Sequence, residues 1–212
     1  MSKTLNYVFD PLCGWCYGAS ATVSAVSRQP GIQLRLLPSG LFSGQGARSM
    51  DEGFASYAWA NDQRIKRLTG QAFSGRYRSG VLGDHQQVFD SGPATLALTA
   101  VALTAPQREL DALQAIQQAR YVDGLDITRV DTLATVLGGL GLQEAAARLT
   151  TPDAELLQGN RARVEQAQAL LQTFGARGVP AFILEEDGRR ELLHASSVYS
   201  DPQAFVDQFA TA

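Results

Sequence analysis

Two cysteines stand three apart in the run Cys13-Gly14-Trp15-Cys16, shortly after the apolar segment Leu5-Asn6-Tyr7-Val8-Phe9. If the chain is helical from Cys13 onward, positions i and i+3 share a face, and the two sulfurs can meet at disulfide distance without moving the backbone. The chemistry this suits is thiol–disulfide exchange. In the first helical turn Cys13 would lie among unpaired backbone N–H groups, at the positive end of the helix dipole. Its thiol is therefore expected to ionise more readily than that of a free cysteine. Cys16 lies one turn deeper. The expected division makes Cys13 the attacking nucleophile and Cys16 the resolving thiol that releases a mixed disulfide.

Other uses of a cysteine pair fit less well. A zinc site needs four ligands, and the two histidines, His85 and His194, lack the close spacing of a finger or ribbon, so no metal site is expected. A purely structural disulfide closing so short a loop would add little stability.

The elements that must position this pair follow from hydrophobic pattern. Leu5 to Phe9 reads as a buried strand and Asp10-Pro11 as its turn into a helix beginning near Leu12 or Cys13. Cys16, Ala19, Val23 and Val26 then recur at helical spacing until Gln29-Pro30-Gly31 ends the run, and Ile32 to Leu37 alternates as a second strand. Such a β-α-β unit pairs its strands in parallel and brings Cys13 to the carboxyl end of the first, where open α/β sheets bind ligands. Helical patterns dominate the middle of the chain, predicted near 51–68, 93–104, 106–121, 128–137, 142–149 and 152–174. The glycine-containing stretch Ser39 to Ala47 reads as a loop and lacks the features of a phosphate cradle. Strand character returns at Ala181-Phe182-Ile183-Leu184. A turn at Glu186-Asp187-Gly188 leads to a partner strand, Glu191 to His194, and Ser200-Asp201-Pro202 opens a last helix carrying Phe205, Val206 and Phe209.

At 212 residues and 45% hydrophobic composition the chain can bury a sizeable core. A net charge of −3 argues against a nucleic-acid partner, and the apolar stretch Ala94 to Ala105 is too short to span a membrane. Met1-Ser2-Lys3-Thr4 runs straight into strand pattern without the basic and long apolar regions of an export signal, so a cytoplasmic location is expected. In a reducing cytosol, cysteines tend to be catalytic or metal-binding.

An N-terminal β-α-β bearing CxxC, a helical interior and a C-terminal hairpin plus helix resemble the thioredoxin fold with a large all-helical insertion. The expected thioredoxin-fold parts are 1–38 and 160–212, and the insertion is 39–159. The chain is similar to the DsbA-like family, and within it to the cytoplasmic FrnE-type branch. The residues that carry this are Phe9 to Tyr17, Ala119 to Ile127 and Gly175 to Phe182. The resemblance implies disulfide oxidoreductase or isomerase activity with Cys13 as nucleophile, Cys16 as its partner and Pro180 in a cis peptide beside them. Gly14, Trp15, Val179 and Pro180 are then the expected substrate-binding residues, with the Val179 backbone pairing with an extended peptide. No cofactor is implied beyond an external thiol or disulfide partner, such as glutathione or another thioredoxin-fold protein; the substrates are peptide or small-molecule disulfides and thiols. Redox direction and oligomeric state are not specified.

The chain departs from relatives in three ways. Gly14-Trp15 places no histidine between the cysteines, Tyr7 stands six before Cys13 where related folds often bury a carboxylate, and there is no second cysteine pair. A proton acceptor is therefore sought in solvent or in a carboxylate from elsewhere. Trp15 is expected at the surface, Arg177 more as a solvated loop residue than as a partner of the thiolate, and His85 and His194 as structural or surface residues; Tyr17 fits packing or the site wall equally. Two other functions share the architecture. One is a glutathione-dependent transferase or isomerase of the kappa-class or 2-hydroxychromene-2-carboxylate isomerase kind, in which serine stands where Cys13 does. The other is a non-catalytic redox-sensing or peptide-binding module.

Overall fold

Leu5, Tyr7 and Phe9 enter one hydrophobic cluster and Val8 the other. This is the environment of a strand at the middle of a sheet covered on both faces. The structure, a computed structural model, describes residues 3–209. Met1 and Ser2, on which the reading of the N-terminus partly rests, lie outside the described residues. The central strand is β1, Lys3–Phe9. It pairs in parallel with β2, Ile32–Pro38, and antiparallel with β5, Ala181–Glu186. β6, Arg189–Leu193, completes the order β2-β1-β5-β6. Its hairpin turns at Asp187 and Gly188, both with positive φ (50° and 74°), the backbone that a tight two-residue hairpin requires.

On one face Tyr7 stacks between Phe9 and Phe182, each 5.1 Å away, and Phe182 meets Phe205 edge-on. Phe205 belongs to α10, Pro202–Asp207, which Asp201 caps by accepting the Ala204 N–H at 3.0 Å. The opposite face, with Val8, Leu37 and Ile183, is covered by Ala167 and Leu170 of α8, Ala154–Thr173. Full burial of each such large apolar side chain contributes roughly 1.5–3 kcal/mol.

The insertion contains the predicted helices as α3 (Glu52–Thr69), α4 (Gly92–Thr104), α5 (Glu109–Tyr121), α6 (Val130–Gly139) and α7 (Gln143–Thr150), with ends moved by a few residues. It is helical except for a two-stranded ribbon, β3 (Arg48–Ser49) with β4 (Val88–Phe89), and it includes a π-helical turn at Tyr77–Leu82. Two-residue strands show no alternation to read in a sequence; this ribbon is held by the rings of Phe42 and Phe54 closing on Phe89. The expected boundary between 159 and 160 falls inside α8. A short helix not foreseen, α9, spans Ser197–Ser200.

The helix predicted to run from Cys13 is divided. α1 spans Gly14–Gly18 and α2 spans Ser20–Ser27, with Ala19 between them. Glycine and serine flank the break, as at many helix kinks. Gly18 lies so close to α3 that a Cβ would come within 2.6 Å of the Ile65 side chain. No helix among the described residues is long and apolar enough to cross a membrane.

Candidate active site

The turn that delivers Cys13 is organised by Asp10, a fully buried carboxylate. Its Oδ1 accepts the Leu12 N–H at 2.9 Å; its Oδ2 accepts the Ser91 hydroxyl at 2.7 Å and the Phe42 N–H at 3.1 Å. One side chain thereby ties the CxxC loop to the loop after β2 and to the start of α4. Burial pushes the Asp10 carboxyl above its usual range, and these hydrogen bonds oppose the shift.

Cys13 is the residue that precedes α1 (φ −81°, ψ 116°) rather than a member of its first turn. Its N–H bonds the Asp10 carbonyl, and its thiol donates to the Val179 carbonyl with Sγ 3.6 Å away. Cys16 is completely buried behind it, and both thiols are free. Burial pushes the Cys16 thiol well above the ordinary cysteine range. The hydrogen bond and charge of Cys13 add to this, and a backbone hydrogen bond from Asp10 opposes it. The inner sulfur therefore holds its proton. Tyr7, also buried, donates its hydroxyl to the Cys16 carbonyl at 3.2 Å and is itself held protonated by burial.

Of the predicted site residues, the structure brings together Cys13, Cys16, Gly14, Trp15 and the cis Val179–Pro180 peptide. Trp15 is half-buried, contrary to the expected exposure. Its ring meets Tyr199 edge-on at 5.1 Å, its carbonyl accepts the Tyr199 hydroxyl at 2.9 Å, and the Arg64 guanidinium lies over it. Tyr17 packs inside, stacked on Tyr121 at 4.6 Å with its hydroxyl donated to the Ala72 carbonyl. Arg177, His85 and His194 are exposed, and among the described residues none has a hydrogen bond or ion pair to either cysteine.

Beside Cys13 opens a cleft of about 270 Å³ walled by Trp15, Phe42, Phe54 and Tyr57, with Arg48 at its side. Asp62 of α3 also lines it, with the rings of Tyr77 and Tyr121. A larger hollow of about 600 Å³ lies between β2 and α5 around Arg163 and Glu109, away from either thiol. No cluster of three or more His, Cys, Asp or Glu among the described residues could hold a metal ion.

The sequence reading missed Asp10, Asp62, Tyr77 and Arg120. Asp62 left a signal: on α3 it shares a face with Phe54, Ala58 and Ile65, so a charge interrupts an apolar stripe. Arg120 and Tyr121 lie in the Ala119 to Ile127 segment. Tyr121 donates its hydroxyl to the Leu12 carbonyl at 2.8 Å, which carries that segment into the CxxC loop.

A dithiol at the carboxyl end of β1, facing a cis-proline loop, is the arrangement of a thioredoxin-type exchange site. The chain belongs to the DSBA-like thioredoxin domain family, whose model matches residues 4–208. It is a thiol–disulfide oxidoreductase of that family. Its structure is similar to that of the cytosolic disulfide reductase DsbM from Pseudomonas aeruginosa, at 35% identity over 97% of this chain and 96% of that one, with a TM-score of 0.87. The structure of DsbM from the same organism with GSH matches at 33% identity over the same shares, with a TM-score of 0.86. A 2-hydroxychromene-2-carboxylate isomerase, 14% identical over 97% of this chain and 95% of that one, shares the fold at a TM-score of 0.59. No curated protein matches the chain.

Proposed function

We propose that this protein is a cytoplasmic disulfide reductase of the FrnE-type branch, exchanging electrons with glutathione or a similarly small peptidic thiol. The observation that carries the reading is the asymmetry of the dithiol: Cys13 lies at a cleft against the Val179 carbonyl, while Cys16 is sealed and protonated behind it. Similarity to a cytosolic disulfide reductase, one structure of which is described with GSH, supports the direction, the location and the thiol. Retention of both cysteines sets the chain apart from the serine-bearing transferases and isomerases of related architecture.

In this reading the Cys13 thiolate attacks a substrate disulfide, forming a Cys13–substrate bond while the other sulfur leaves as a thiolate. Cys16 then gives up its proton and attacks Cys13, expelling the second substrate thiolate and closing the Cys13–Cys16 disulfide. Two glutathione thiols reopen it by the reverse exchange and leave as glutathione disulfide. Gly14 and Trp15, which line the cleft, and Val179 and Pro180, with the Val179 carbonyl 3.6 Å from Cys13 Sγ, are the residues proposed to meet the substrate.

The test uses single-cysteine variants incubated with glutathione disulfide and analysed by mass spectrometry. Cys16→Ser should retain a glutathione adduct on Cys13, because attack remains possible and resolution does not. Cys13→Ser should retain none. Equal adducts on both variants, or none on either, would overturn the assignment.

A further inference from the structure

Asp62 has no part in the exchange steps above, yet it lines the cleft beside Cys13. It is 4% exposed, and its Oδ2 accepts the Tyr77 hydroxyl at 2.9 Å. Oδ1 has no hydrogen-bond partner among the described residues, and the side chain lines the same cleft as Cys13. It approaches Gly14 so closely that a Cβ there would lie 2.5 Å from Oδ1. Behind it, Arg120 is 1% exposed, with its guanidinium over the rings of Tyr77, Phe89 and Tyr121 at 5.3 to 5.7 Å. Among the described residues Arg120 Nε and Nη2 have no hydrogen-bond partner, and no ion pair joins Arg120 to Asp62. Burying opposite charges without a direct bond between them is a poor way to build a core, since each loses its hydration. The arrangement leaves one carboxylate oxygen free beside Gly14, in the cleft that Cys13 also lines.

We propose that Asp62 is the proton shuttle of thiol exchange, taking the proton of the Cys13 thiol and returning it to the departing substrate thiolate. This rests on the exchange reading above. First, the Cys13 S–H bond breaks and an Asp62 O–H bond forms. The Cys13 sulfur pair then bonds one sulfur of the substrate disulfide as the S–S bond breaks, and the second sulfur leaves with its electron pair. Asp62 gives it the proton, so a thiol departs, the carboxylate is restored and no net proton is consumed. The titratable and charged groups around Asp62 are Cys13 from the CxxC segment, Tyr57 from α3 itself, Tyr77 from the π-helical turn, Arg120 and Tyr121 from α5, and Arg48 from β3. Burial pushes the Asp62 carboxyl up to about 7, with the Tyr77 hydrogen bond and the Arg120 charge pulling it back. A group in that range gains and loses a proton readily at neutral pH. Arg120 balances the ionised state from behind without occupying the free oxygen.

The experiment is the second-order rate constant for oxidation of the pre-reduced protein by glutathione disulfide against pH in the wild type, Asp62→Asn and Tyr77→Phe, with Cys13 alkylation by iodoacetamide as a comparison that shares removal of the thiol proton but needs no protonated leaving group. In the wild type the rate should rise along an acidic limb to a plateau near neutrality. Asp62→Asn should lose about a hundredfold at pH 7 and climb steadily toward alkaline pH, with Cys13 alkylation reduced by a smaller factor because it lacks the step that returns the proton. Tyr77→Phe removes a bond that favours the ionised carboxylate, so its limb should move to higher pH; it also decides the matter if Asp62→Asn does not fold. An Asp62→Asn profile parallel to that of the wild type, whether undiminished or uniformly lowered, would overturn the shuttle, as would an unmoved limb in Tyr77→Phe. Failure of glutathione disulfide to oxidise the reduced wild-type dithiol would instead overturn the exchange reading itself.

Discussion

The hydroxyl of Tyr121 donates to the carbonyl of Leu12 at 2.8 Å, across 109 positions of sequence. Through it the insertion holds the residue before Cys13, and Tyr121 is in turn stacked on Tyr17 of α1. The helical insertion is thus part of the frame that sets the thiol in place. Tyr121→Phe keeps the ring and removes the donor, leaving a buried carbonyl unpaired. The expected cost is about 1–3 kcal/mol, read as a lower denaturation midpoint with unchanged slope. Cys13 alkylation should change at the same time, because its loop is released on one side.

Gly14 lies between the cysteines for want of space. A Cβ would come 2.5 Å from Asp62 Oδ1 and 3.2 Å from Ile65 Cδ1. Gly14→Ala should therefore separate α1 from α3, at about 1–3 kcal/mol for overpacking. In an exposed helix the same change would be stabilising, by roughly 1 kcal/mol. A thermal melt distinguishes the two by sign.

Cys16 carries a pH signature that its burial dictates. Its thiol is raised above the ordinary range in the fold, so between the unfolded value near ~8.5 and the higher folded value the native state holds a proton that the unfolded chain has lost. Stability of the reduced protein should be constant below that window and decline as pH rises through it. In Cys13→Ser, where burial remains the main cause, thiolate absorbance should appear only well above pH ~8.5. Absorbance at neutral pH would show that the inner sulfur is wetter than its surroundings imply.

Asp62 should cost stability at the pH where it works. Its carboxyl is pushed up to about 7 in the fold, against ~3.9 in an unfolded chain. The native state therefore binds more protons between those values, and wild-type stability falls as pH rises across them, by up to roughly 4 kcal/mol. Asparagine stays neutral throughout. Asp62→Asn should match the wild type near pH 4 and exceed it at pH 8, as chemical denaturation at the two pH values would show. Equal stability at both would mean that the carboxylate is well solvated in the cleft.

The sequence alone determined the chemistry and most of the secondary structure. Two cysteines three apart after an apolar strand point to a dithiol because a helical turn brings such positions together, and the pair still meets although Cys13 precedes α1 rather than joining its first turn. The helices from Glu52 to Thr173 were legible because their apolar residues recur with the helical period. The hairpin was legible because Asp-Gly is suited to a turn with positive φ. Only the tertiary structure decided what surrounds the dithiol. Local pattern says nothing of distances across the chain, so it could not place Val179 on Cys13 or Tyr121 on Leu12. Nor could it show that Trp15 would find Tyr199 and be half-buried. A charged residue such as Asp62 or Arg120 reads as solvent-facing until packing encloses it, and the properties that matter here, a carboxyl near neutrality and a guanidinium with two nitrogens unpartnered among the described residues, are produced by that enclosure.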